Sequence, residues 1–83
     1  MERMKTMEDG RVLKRIRELV EQEEHLYTRG NLGAEEQSRL RKMKVELDQC
    51  WDLLRQRRAL REAGRNPDDA RIRPPDVVQN YVQ

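Results

Sequence analysis

Phenylalanine is absent from this chain, and aromatic residues of every kind make up 4% of its 83 positions. That excludes a thick core of interleaved rings. With hydrophobic residues at 35% and charged ones at 41%, two packed helical layers are the most that the composition supports. Cysteine occurs once, at Cys50, so no internal disulfide can form and a disulfide-stapled secreted scaffold is excluded. No apolar run approaches the ~20 residues of a membrane span. The charged start MERMKTMED lacks the apolar centre of a signal peptide, and the cytoplasm is the expected location. Neither sign of charge dominates: 18 basic residues stand against 16 acidic ones, and the net charge of +2 sets up no global field aimed at nucleic acid.

What is present is helix. Residues 34–63 contain neither Gly nor Pro and are rich in strong helix formers, and Gly64 is placed to end them in the left-handed cap conformation. A helix of that length spans roughly 45 Å at 1.5 Å per residue and needs a partner. An earlier helix supplies it. Thr6 and Asp9 have capping-box spacing, so the first helix is expected from about Met7 to Arg29, behind a disordered extension at residues 1–6. Its apolar residues form two adjacent heptad rows, Val12, Leu19, Leu26 and Leu13, Val20, Tyr27, with Ile16 between them. A face that wide implies two neighbours. Gly30, Asn31, Leu32 and Gly33 make the break, a length suited to a tight turn between antiparallel helices. Glu35 and Glu36 then complement the dipole at the start of the second helix. Leu40, Met43, Leu47, Cys50, Trp51 and Leu54 line its inward seam.

Folding the chain about this turn sets opposite residues whose numbers sum to about 63. Glu8 then meets Arg55, Arg11 meets Asp52, Arg15 meets Asp48, Arg17 meets Glu46, Glu21 meets Lys42 and Glu24 meets Arg39, each pair opposite in sign. The same register brings Leu13 to Cys50, Ile16 to Leu47 and Val20 to Met43. Such pairs fix register more than they stabilise. Two features of the second helix are left over. Arg55, Arg57, Arg58 and Arg61 are expected to project as a basic arm, and Leu53 and Leu60, with Val45 on their flank, lie opposite the seam and require a cover.

Beyond Gly64, the run Asn66, Pro67, Asp68, Asp69 repeats the start signals of a helix, which Pro74 and Pro75 cut short. The last segment puts Val77, Val78, Tyr81 and Val82 on one face. It has two possible seats, the Leu53 and Leu60 side of its own chain or a second chain. Its acids Asp68, Asp69 and Asp76 are candidates to neutralise the arginine arm.

Catalytic chemistry finds little purchase. Cys50 and His25, the only thiol and imidazole, fall far apart in the register, which leaves Cys50 as a small core residue and His25 as a solvated one. Glu46, Asp48 and Asp52 are conceivable metal ligands, but each has a basic partner. No phosphate loop, zinc spacing or Ser, His, Asp set occurs, and no cofactor is expected. Trp51 is either a binding anchor beside Arg55 and Arg58 or a half-buried core residue.

The block VELDQCWDLLRQRRALREAG, followed by DDARIRPPDVVQNYV, resembles the small bacterial proteins of domain of unknown function 2630, familiar mainly from actinobacteria. The likeness runs from about Met7 to the C-terminus and is most distinctive over residues 48–59. It implies a short, mostly helical cytosolic protein, without an activity or catalytic residues to carry over. The expected fold is all-α: an antiparallel, coiled-coil-like two-helix hairpin over residues 7–63 (helix 7–29, turn 30–33, helix 34–63) with a short helical tail over 64–83, two copies pairing into a dimeric four-helix bundle. The expected role is a non-enzymatic homo-oligomeric interaction module with a protein partner. Its candidate interface is Val45, Trp51, Leu53, Leu60, Val77, Val78 and Tyr81. The alternative is a regulator of transcription or translation that contacts RNA or polymerase through Arg55, Arg57, Arg58 and Arg61.

Overall fold

Two long helices fold back on each other because the four residues between them, Gly30 to Gly33, break the helical hydrogen bonding and turn one apolar row of the first onto the seam of the second. The structure is a computed structural model that describes residues 9–81, and the side chains of residues 9–78. Helix α1 spans Asp9–Arg29, α2 spans Ala34–Glu62, a single 3₁₀ turn covers Pro67–Asp69, and a short α3 covers Pro75–Tyr81. No strand occurs among the described residues. The expected Thr6 cap, the start at Met7, the Glu8 to Arg55 pair and Val82 lie outside the described residues.

Helix α1 stops where Gly30 takes a φ of +87°, a conformation that costs most side chains energy. The Gly33 N–H then donates to Glu36 Oε1 at 3.1 Å, half of a capping box that opens α2. An ion pair between Arg29 and Glu36, 3.8 Å long, ties the two helix ends across the turn. At its far end α2 closes with a Schellman motif. The Arg65 N–H donates to the Leu60 carbonyl at 2.7 Å and the Gly64 N–H to that of Arg61 at 3.0 Å, with Gly64 at φ +73°.

The core forms two clusters along the hairpin. Leu19, Leu26, Leu40 and Met43 pack near the turn, with Leu32 folded in from the loop. Val12, Ile16, Leu53 and Ala70 pack at the open end. Leu47 and Cys50 contact both clusters. Each fully buried Leu or Val contributes ~1.5–3 kcal/mol of transfer free energy.

The charge register expected about a sum of 63 is not the one that forms. Observed cross-helix pairs are Asp9 with Arg57, Glu23 with Lys44, Arg29 with Glu36, Arg15 with Glu46 and Asp9 again with Arg61. The residue numbers of the first three add to between 65 and 67, so the hairpin folds about a point one to two residues later than expected. None of the five expected pairs that fall on described residues is among the ion pairs of those residues. Asp52 is taken by Arg73 and Glu46 by Arg15. The apolar partners shift with the charges. Leu19 and Leu26 go inward, while Leu13, Val20 and Tyr27 stay exposed, so Leu13 to Cys50 and Val20 to Met43 are not core contacts. The shift buries the leucine and valine row and leaves Tyr27 half-open, with Lys44 beside its ring.

Candidate functional site

Two surfaces of the hairpin carry chemistry: the seat of the tail on α2, and the open face alongside α1. The seat is built from a polar row on α2, Gln49, Asp52 and Gln56, spaced so that all three side chains leave one side of the helix. Each receives or supplies a bond to the passing chain. Gln49 Nε2 donates to the Arg73 carbonyl at 3.0 Å. Gln56 Nε2 donates to the Arg71 carbonyl at 2.6 Å, and Gln56 Oε1 accepts the Arg71 N–H at 3.1 Å. Asp52, with no exposed surface, accepts from Arg73 Nε at 2.9 Å, from Arg73 Nη2 at 2.6 Å and from Gln56 at 2.8 Å. The Arg73 guanidinium holds the Asp52 carboxyl below its ordinary pKa; burial opposes this, and Gln56 and Arg55 add to it.

This seat covers the leucines expected to need a neighbour. Leu53 is 2% exposed against Ala70, Leu60 is half-buried beside it, and Val78 of α3 is 1% exposed. The tail therefore docks within its own chain. Val45 is half-buried, Val77 is exposed, and the side chain of Tyr81 lies outside the described ones.

The arginines expected as a projecting arm are held by acids. Arg57 is 5% exposed; its Nε donates to Asp9 at 2.6 Å, and its Nη1 donates to Asp68 at 3.0 Å and to the Pro67 carbonyl at 3.3 Å. Arg61 Nη2 donates to the other oxygen of Asp9 at 2.7 Å. Asn66 caps the 3₁₀ turn, its Oδ1 accepting the Asp68 N–H at 2.9 Å, and so presents Asp68 to Arg57. Arg61 first and then Arg57 lower the Asp9 pKa. Arg58 pairs with Glu62 four residues on, and Arg55 is exposed. The end of α2 does not project because Asp9 at the start of α1 reaches Arg57 and Arg61, and the 3₁₀ turn closes over it.

On one flank of the hairpin lies a groove of about 420 Å³, floored by Val12, Cys50 and Leu53 and edged by Arg11, Lys14 and Ile72. Burial, then the nearby Glu46, pushes the Cys50 thiol pKa up, so it is a poor nucleophile. His25 is exposed on the outer side and lines different grooves. No cluster of three or more potential metal ligands occurs among the described residues. No described helix is long and apolar enough to cross a membrane.

On the other flank, four large apolar side chains stand open: Leu13 at 44%, Val20 at 38%, Tyr27 at 52% and Trp51 at 46% exposure. The first three form the second heptad row of α1. Lys44 of α2 sits over the Tyr27 ring at 6.0 Å while pairing with Glu23 at 3.1 Å, which fixes which side of α2 adjoins this row. Two turns along α2 from Lys44 is Trp51, and two turns back along α1 from Tyr27 is Val20. In the register of the hairpin Trp51 stands level with Arg15, between Leu13 and Val20, and the four residues line one flank as one stripe. Trp51, expected on the inward seam with Leu47 and Leu54 and in one interface with Leu53 and Leu60, is instead half-open on the flank of α2 that carries Lys44, the flank of the open row. The signal for this was the unused heptad row, and the signal for the tail seat was the polar row among leucines.

The family model described as Protein of unknown function (DUF2630) matches residues 8–83. Among curated relatives, the uncharacterized protein Mb0922c of Mycobacterium bovis and the uncharacterized protein Rv0898c of Mycobacterium tuberculosis are each 49% identical over 78 residues, covering 89% of this chain and 90% of theirs. No solved structure matches the chain. A match along nearly the whole length, by a family model and by relatives at this identity, shows that the chain belongs to the DUF2630 family of proteins of unknown function.

Proposed function

We propose that this protein is a non-enzymatic interaction module that acts as a homo-oligomer, two hairpins pairing into a four-helix bundle. The observation that carries this reading is the open stripe of Leu13, Val20, Tyr27 and Trp51. In water a contiguous apolar stripe rimmed by charge marks an association surface, and Trp and Tyr are the residues that dominate such surfaces energetically. The tail accounts for Leu53 and Leu60, so it is α1's second row that calls for the additional neighbour. A basic-arm role on RNA or polymerase draws no support from the geometry, because Arg57 is buried and both it and Arg61 are turned to Asp9.

Trp51 is the only Trp and reports on its own surface. Its emission is recorded as the full chain is diluted from about 100 μM to 100 nM, a span of ~4 kcal/mol in association free energy. The reading predicts a red shift on dilution as the indole becomes hydrated, together with unchanged helix content. Emission that is already that of a hydrated indole at the highest concentration, and constant throughout, contradicts it.

A further inference from the structure

Helix α1 is electrically divided at its middle. Residues 11–17 carry four basic side chains and no acid, and residues 18–24 carry four acids and no base. Part of this charge is used inside the chain, by Arg15 on Glu46 and Glu23 on Lys44. Arg17 and Glu24 are not used so. Both are exposed, and among the described residues neither enters an ion pair, although the sequence had offered Glu46 and Arg39 as their partners. They stand three residues before and four after Val20, on the outer edge of the apolar stripe, and at two turns apart they are too distant to pair with each other.

From this we infer that the partner on the stripe is a second copy of the chain laid antiparallel on α1, with the two-fold axis passing near Val20. The inference rests on the self-association reading above and deepens it. A two-fold perpendicular to the helix sets Val20 against Val20, Leu13 against Tyr27 and Tyr27 against Leu13 of the second copy. It also sets Arg17 against Glu24 of the second copy, twice. A parallel arrangement would oppose like charges along the whole stripe, which costs energy and selects against it. Trp51, level with Arg15, then lies beside the place where Leu13 meets Tyr27 of the second copy.

Charge exchange tests the polarity. Sedimentation equilibrium of the full chain gives the dimer dissociation constant for wild type, Arg17→Glu, Glu24→Arg and the double variant. Each single variant opposes like charges at two symmetric places and is expected to weaken the dimer about tenfold; the double variant restores opposite signs and is expected within about twofold of wild type. A second reading uses Cys50→Ser as background. Val20→Cys should link to itself on mild oxidation, whereas Leu13→Cys should link only when mixed with Tyr27→Cys. A dimer whose affinity ignores the single exchanges, or in which Leu13→Cys links to itself, overturns the antiparallel geometry and leaves self-association standing. A chain that stays monomeric at every concentration, or binds only an unrelated protein, overturns both.

Discussion

Replacing Arg73 with Met removes the principal partner of a carboxylate that has no contact with solvent. Asp52 holds three hydrogen bonds, two of them from the Arg73 guanidinium at 2.6 and 2.9 Å. Breaking a buried ion pair from one side costs ~3–5 kcal/mol, because the remaining charge is left uncompensated. The Arg73 side chain is 37% exposed, so water reaches part of the site, and the expected cost falls to about 2–3 kcal/mol. That is a large share of the ~4–12 kcal/mol expected for a domain of this size. The loss should be felt first where the tail meets α2. The Arg71 amide, which donates to Gln56 Oε1, is the probe. Its hydrogen exchange should accelerate about thirtyfold or more, and the urea midpoint should drop. Asp52→Leu combined with Arg73→Met should recover most of the loss, since a well-packed apolar pair is close to neutral relative to a buried ion pair. If Arg73→Met changes stability by less than about 0.5 kcal/mol and leaves Arg71 protected, the seat is not held by this pair and the reasoning fails.

Acid should loosen the same places. Asp9, Glu46 and Asp52 all have folded-state pKa values below their ordinary ones, so the unfolded chain takes up protons first as pH falls. Stability should be level from pH 7 to about 5 and decline below about 4.5; a urea midpoint that is constant down to pH 3 would refute the linkage. Leu19→Ala opens a cavity in the cluster near the turn, where Leu19 is 1% exposed, and should cost ~3–5 kcal/mol in chemical denaturation. A cost below 1 kcal/mol would mean that the row containing Leu19 is not the buried one. Gly64→Ala meets no atom within 4 Å but must hold φ +73°, so a loss of ~1 kcal/mol in thermal unfolding is expected, and a gain would contradict the cap assignment.

Local chemistry made much of the fold legible. The gap in Gly and Pro before Gly64, the Gly30 to Gly33 break and the Asn66, Pro67 start each act over a few residues, and the backbone follows them. Register was not legible, because it is decided by competition between alternatives that score alike on paper. Val12, Leu19, Leu26 and Leu13, Val20, Tyr27 are both acceptable seams, and a charge-rich sequence offers opposite signs for either. The tail tipped the balance, since Arg73 claims Asp52 and Asp68 shares Arg57 with Asp9. Those contacts join residues 11 to 48 positions apart, where no spacing rule reaches. The open stripe was half visible: the wide apolar face of α1 announced two neighbours, but which row would be left open depended on the register.

The most direct test of the interaction-module account is the absolute mass of the full chain in solution, by light scattering after size exclusion at about 100 μM, in low and in high salt. The chain weighs 10.0 kDa. The account predicts twice that mass in both salts, reduced to the mass of one chain by Val20→Glu with helix content retained, because the apolar stripe supplies the affinity and the charges mainly set the polarity. The mass of a single chain for wild type under both conditions would contradict it.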